Sequence, residues 1–439
     1  MSSAPTEPRA PASWGGGATE TDALTALAPY MGVFFVAFFV VIAVTPLLRR
    51  LAVANGIVDW PDLKRKNHAL PVAYLGGVAI FVGWVAGVFA SYLVASDELG
   101  PSFPVSIMIG AGVITLTGLI DDAHGLSPRA KVGGQLFAAA ALTWNQIGIQ
   151  VTEQVFALLG FSPPSTVVYF AATVLVAVFV LGGCNAVNLI DGLDGLATGV
   201  VLIAMCGFLA IALCLSDVEA AALDNPQRIV LCLATIGALL GFLPYNFSPA
   251  AIFMGDAGSL LLGFLSVSAI LLFGDVPALS LKLVTASLIV FAVPITDTSL
   301  AIVRRKLRGQ PIMSPDNQHL HHLLRKAGLS VKKSVLVLYA VAVAFGVLGV
   351  LTVALEFQWR YSLAILSVLY GSIMVLAFKY GAYCMAIERQ QAKSSAQQAI
   401  AGDAPIDRLE IDPKAKSVLG VSQGDPRSTR FGGGVAGRR

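Results

Sequence analysis

The stretch YMGVFFVAFFVVIAVTPLL, Tyr30 to Leu48, decides the fold. It is uncharged and close to the length of about 20 apolar residues that a helix needs to cross a bilayer. It starts too late, and without the basic flank, for a cleaved signal peptide, so it is expected to be retained as a span. Hydrocarbon offers no partner to a backbone N–H or C=O, so such a run must be helical. Ten further runs follow, at roughly 75–95, 104–120, 132–147, 164–182, 196–215, 229–246, 257–273, 281–303, 334–354 and 361–381. The chain is 56% hydrophobic and 13% charged, about half the roughly 25% charged residues usual in soluble domains. A soluble core is thereby excluded. The sequence predicts an all-α polytopic membrane protein with about 11 transmembrane helices over residues 29–385. The Pro-, Gly- and Ala-rich residues 1–28 and the polar residues 386–439 are expected to be disordered tails.

Basic residues set the expected orientation, since cytoplasmic loops are enriched in Lys and Arg. Arg49, Arg50, Lys64, Arg65 and Lys66 follow span one, Arg129 and Lys131 follow span three, and Arg304, Arg305, Lys306 and Arg308 lead a basic segment after span nine. The opposite loops hold only Arg228, Lys282 and Arg360. The N-terminus is therefore expected outside and the C-terminus in the cytoplasm. Five scattered cysteines have no metal or disulfide spacing and are expected to be packing residues.

The polar residues of the predicted inner face are concentrated. All five histidines lie there, with Asp121, Asp122, Asp191, Asp194 and Asp256, while Asp297 lies near the inner end of span nine. A secondary transporter would place such groups near the midplane and show repeats. Clustering at one face points instead to an active site at the cytoplasmic surface.

Four stretches carry the chemistry. In GLIDDAHGLSPRAK, two adjacent acids repel unless a cation or basic neighbours intervene, so the pair either binds a cation or is neutralised by Arg129 and Lys131. In NAVNLIDGLDGLATG, spacing of three places Asn185, Asn188 and Asp191 near one helical face. Their oxygens suit Mg²⁺, and Gly192 and Gly195 permit close backbone approach. In PYNFSPAAIFMGDAGSLLLG, Asp256 stands at a helix mouth, as a cap or as a ligand-site acid. In the segment Asp297 to Ser330, Arg304 and Arg305 serve topology or phosphate binding. The HLHH group (His319, His321, His322) suits phosphate contacts better than zinc, which lacks a Cys or Glu partner here.

Taken in order, DDAHGLSPRAKVGGQ, NAVNLIDGLDGLATG, FMGDAGS and PDNQHLHH, with LKRKNHALPVAYLGG at Leu63 to Gly77, resemble the polyprenyl-phosphate N-acetylhexosamine-1-phosphate transferase superfamily (glycosyltransferase family 4). HLHH preceded by SPD resembles its undecaprenyl-phosphate N-acetylglucosamine-1-phosphate branch, which starts O-antigen, common-antigen or teichoic acid chains. The resemblance implies transfer of a sugar phosphate from a UDP-sugar, UDP-N-acetylglucosamine first, to undecaprenyl or another polyprenyl phosphate, releasing UMP. It also implies a bacterial plasma-membrane setting. Another UDP-sugar, UDP-MurNAc-pentapeptide, and a membrane transporter are the alternatives.

The resemblance further implies Mg²⁺, with Mn²⁺ as a substitute, held by Asn188 and Asp256. Asp121, Asp122, Asp256 and His319 would be catalytic. Asn185, Asp191, Asp194, Arg304, Arg305, His321, His322, Lys66 and Lys131 would contact substrate, and Gly76 and Gly77 would be structural. Family members often carry a basic residue where Ala251 stands, so phosphate contacts are expected to differ there. No nucleic acid partner is expected, and a homodimer is left open.

Overall fold

The computed structural model describes residues 27–59, 71–94, 103–215, 225–276, 279–307, 309–311 and 319–400. A short 3₁₀ turn, Ala28–Tyr30, leads into α1 (Met31–Ala54). A two-stranded ribbon follows, β1 (Val58–Asp59) antiparallel to β2 (Val72–Ala73). Then come α2 (Gly76–Val94), α3 (Val105–His124), α4 (Pro128–Trp144), α5 (Ile149–Leu158), α6 (Ser165–Ile190) and α7 (Leu196–Cys214). The remaining helices are α8 (Asn225–Asn246), α9 (Gly255–Gly274), α10 (Ser280–Val290), α11 (Ala292–Leu307), α12 (Leu320–Lys326), α13 (Val331–Ala354) and α14 (Trp359–Ile400). The chain divides into two units, Met1–Phe378 and Lys379–Arg439. The bundle belongs to the first; the described part of the second is the end of α14.

Among the described residues, eight helices are long and apolar enough to cross a membrane. The protein is thus an all-α polytopic membrane protein. Apolar stripes face outward, as lipid contact requires: Phe35 and Phe39 on α1, and Phe170, Val174 and Val178 on α6, are all exposed at helical spacing. The run predicted as span nine is two helices, α10 and α11, bent by 76°. Pro294 explains the break: it has no N–H to give the carbonyl four residues back, and its ring crowds that turn. The predicted spans at 132–147 and 361–381 coincide with α4 and with α14, which runs past residue 386 to Ile400. Helix α5 was not expected. Its sequence, IQVTEQVFAL, is too short and too polar to span.

Helix α9 is the axle of the bundle, with every residue from Ala257 to Gly274 buried. It packs on α3 and α6 most closely, with α2 and α10 beside it. Lipid tails give apolar helices little reason to associate, so contact depends on small residues that let backbones meet. A methyl group on Gly77 of α2 would overlap the backbone nitrogen of Gly258, and one on Gly118 of α3 would overlap that of Ala257. On the far side, a methyl on Gly263 would overlap the Gly183 carbonyl of α6. Three neighbours thus close on α9 with no side chain between.

Candidate active site

One end of the bundle gathers the C-terminal ends of α3, α6, α8 and α11 and the N-terminal ends of α4, α7, α9 and α13. The segment after β2 builds the floor. Phe253 donates its N–H to the Ala73 carbonyl (2.8 Å), and Gly76 and Gly77 donate to the carbonyls of Phe253 (3.0 Å) and Met254 (2.9 Å). Backbone bonds from the first loop therefore hold the FMGD turn, which supports the structural assignment of Gly76 and Gly77. Gly255 completes the turn at φ +67°, a left-handed conformation that disfavours any side chain.

Asp256 then stands in the first turn of α9. Helix α9 has no capping side chain of its own at Met254. Asp122, on the last turn of α3, does that work. Its Oδ1 accepts the N–H of Asp256 (2.8 Å) and its Oδ2 accepts that of Ala257 (3.0 Å). A carboxylate at this point satisfies two orphan donors and meets the positive end of the helix dipole. Asp122→Ala is expected to remove a cap usually worth about 0.5–2 kcal/mol and to displace Asp256. Thermal melting in detergent should fall, and transfer should fall with it. Unchanged melting would show that the cap is dispensable.

Lys131, from α4, lies between the other two acids. Its Nζ is 2.7 Å from Asp121 Oδ2 and 2.6 Å from Asp256 Oδ2. Asp121 Oδ1 also accepts the Leu126 N–H at 2.7 Å, so both its oxygens are engaged. Asn188, on α6, donates from Nδ2 to Asp256 Oδ1 and to Ser259 Oγ, each at 2.9 Å. Carboxylate oxygens of Asp121, Asp122 and Asp256 all lie within 4.8 Å of one another. Two of these three acids share one ammonium, and the side chains beside them offer carboxylate, amide and hydroxyl oxygens. Excess negative charge reaches Asp191 as well: burial first, then the carboxylates of Asp256, Asp122 and Asp194, push it up to about 8. Asp191 keeps some accessible surface, yet protein surrounds it closely enough for burial to dominate. A hard divalent cation fits such a donor set.

The turn from Asp191 to Gly195, between α6 and α7, is pinned on three sides. Asp194 Oδ2 accepts the Ala250 N–H (3.1 Å), and Tyr339 of α13 donates its hydroxyl to the Gly195 carbonyl. The His321 ring fills the space a Gly192 side chain would take. Gly195 itself adopts φ +77°. The structure thus brings the histidine segment against the turn that carries Asp191 and Asp194.

His319, His321 and His322 form one group, with ring centroids 4.2–6.2 Å apart. His321 is 2% exposed, and its Nε2 has no hydrogen-bond partner among the described residues. Burial, aided by His322, pushes it down to about 3 despite Asp297, so it stays neutral. Arg304 and Arg305 are buried in the last turn of α11, where the dipole favours cations. Among the described residues Asn185 bonds to none of the acids. Its Nδ2 donates to Gln135 Oε1 (3.2 Å) and to the Leu181 carbonyl (2.7 Å), clasping α4 to α6. Lys66 lies outside the described residues. Arg49 donates Nε to the Ala251 carbonyl at 3.0 Å, so a guanidinium from α1 stands where position 251 itself offers no charge.

Fold and site together define a polytopic helical membrane protein with an acid cluster suited to a divalent cation at one end of its bundle. The chain belongs to glycosyl transferase family 4. The family model matches residues 104–274, the stretch that holds Asp121, Asp122, Lys131, Asn188, Asp191 and Asp256. A Bacillus subtilis protein named "Probable undecaprenyl-phosphate N-acetylglucosaminyl 1-phosphate transferase" is 37% identical over 316 residues, covering 72% of this chain and 82% of its own. The decaprenyl-phosphate N-acetylglucosaminephosphotransferase of Mycobacterium tuberculosis is 37% identical over 324 residues, 68% of this chain and 77% of its own. A phospho-N-acetylmuramoyl-pentapeptide-transferase of Bacillus cytotoxicus is 30% identical over 343 residues, 72% of this chain and 95% of its own.

Proposed function

We propose that this protein transfers N-acetylglucosamine-1-phosphate from UDP-N-acetylglucosamine to a polyprenyl phosphate, undecaprenyl phosphate in the first instance, and releases UMP. The observation that carries the reading is the cluster of Asp121, Asp122 and Asp256 around Lys131 and Asn188. Relatives with N-acetylglucosamine in their names, at 37% identity, favour that sugar over the muramoyl-pentapeptide.

The reaction joins two anions, so positioning and charge neutralisation carry most of the catalysis. Asp256, with Asn188 after a turn of its amide that presents Oδ1, would hold Mg²⁺ or Mn²⁺. When bound, the cation would neutralise diphosphate oxygens and stabilise the UMP that leaves. Lys131 holds Asp121 beside Asp256 and supplies a positive charge to incoming phosphate. Arg304 and Arg305 would contact the diphosphate, and His319 the sugar. A phosphate monoester has its second pKa near 6, so the lipid phosphate needs little help from a base. Asp122, whose oxygens accept the backbone N–H groups of Asp256 and Ala257, orients Asp256. Direct attack of a lipid phosphate oxygen on the β-phosphorus follows, without a covalent enzyme intermediate.

The site would face the cytoplasm of a bacterial plasma membrane, where the soluble nucleotide sugar and the lipid's phosphate meet. The test is transfer of radiolabel from UDP-[¹⁴C]N-acetylglucosamine into organic-extractable lipid by purified protein with undecaprenyl phosphate. Mg²⁺-dependent labelled lipid with UMP is expected, and EDTA should abolish it. No label with this donor, but label with another UDP-sugar, would overturn the sugar assignment. Removing residues 401–439 is expected to leave turnover nearly unchanged in the same assay, because every motif lies upstream of residue 335. A dead truncation would assign the tail a part in catalysis.

A further inference from the structure

The 76° bend between α10 and α11 turns Asp297 toward the start of α12. There it is 1% exposed, and both oxygens are used: Oδ2 pairs with His319 Nδ1 at 2.8 Å, and Oδ1 accepts the Leu320 N–H at 2.6 Å. His319 occupies the N-cap position of α12, yet its side chain makes no capping bond. Asp297 caps the helix from outside and holds the ring at the same time. Burying a carboxylate is costly unless its oxygens are satisfied; here one short segment satisfies both.

We propose that Asp297 is a positioning residue that fixes the tautomer and direction of His319, so that the lone pair of Nε2 is offered to a hydroxyl of the nucleotide sugar. The proposal rests on the transferase reading above. A nitrogen facing a carboxylate oxygen at 2.8 Å must carry the proton, so Nδ1 is the N–H and Nε2 is left for a ligand. Among the described residues the His319 ring bonds through Nδ1 alone, whereas Nε2 of His321 is enclosed against Gly192. The histidines therefore divide the work. His321, neutral and enclosed, supports the turn at Gly192. His319, stacked parallel to it with centroids 5.8 Å apart, meets the substrate.

Two measurements test this. Protein labelled with ¹⁵N-histidine, with the His319 signal assigned by its loss in His319→Asn, should show Nδ1 bearing the proton; a neutral ring with bare Nδ1 and protonated Nε2 would overturn the proposal. This readout needs no activity, so it stands even if the protein fails to use UDP-N-acetylglucosamine. In the transfer assay, Asp297→Asn and His319→Asn should each lower kcat by about 10- to 100-fold with little change in KM. The double variant should be no worse than the worse single one. Multiplying losses would show independent roles and sink the idea. Should Asp297→Asn fail to fold, the tautomer of the wild-type ring decides alone.

Discussion

Asp256→Asn is expected to abolish transfer, with kcat lowered by about 100- to 1,000-fold or more, the scale seen when one preorganised electrostatic group is removed. The substitution keeps shape and volume. It leaves the cap intact, because Asp122 binds the backbone N–H of residue 256 and not its side chain. An asparagine oxygen can still accept from Asn188, but the negative charge facing Lys131 is gone. The variant should therefore extract and melt like the wild type while losing its response to Mg²⁺. Full turnover at ordinary Mg²⁺ would remove Asp256 from the metal site.

The second large effect is expected at Gly77. Any side chain there meets the backbone of Gly258, two residues from Asp256, where neither partner has a flexible group to move. Overpacking a core usually costs about 1–3 kcal/mol, and a contact with backbone on both sides belongs at or above the top of that range. Gly77→Ala should lower the melting temperature and activity together. Gly77→Val should fail to accumulate as a folded protein in membranes. Normal melting and turnover in Gly77→Val would refute the backbone-to-backbone wedge.

Much of the site was legible because phosphoryl transfer concentrates polar residues where a membrane protein otherwise avoids them. Asp121, Asp122, Asn188, Asp191 and Asp256 stand out against apolar flanks for that reason. Lys131 was harder to weigh: basic residues at a predicted inner loop satisfy topology in any case, and only the fold reveals that its ammonium bridges Asp121 and Asp256. Asn185 looked equivalent to Asn188, three residues away, but the helix aims it at Gln135. Asp297 gave a signal, an acid inside an apolar run. Its pairing with His319 depends on a bend that Pro294 announces and that a straight span would hide. Ser259 and Tyr339 gave none, since serine and tyrosine are ordinary in such helices.

The cap that Asp122 places on α9 joins residues 134 apart in sequence. During synthesis α3 enters the membrane long before its partner exists, and its two acids wait with neither the helix they cap nor the carboxylate they neighbour. The acid cluster therefore forms only when α9 slots between α2, α3 and α6. A nascent chain that stalls or is cut before Gly255 holds no partial enzyme. It holds only the small-residue faces of α2, α3 and α6 that α9 would have filled.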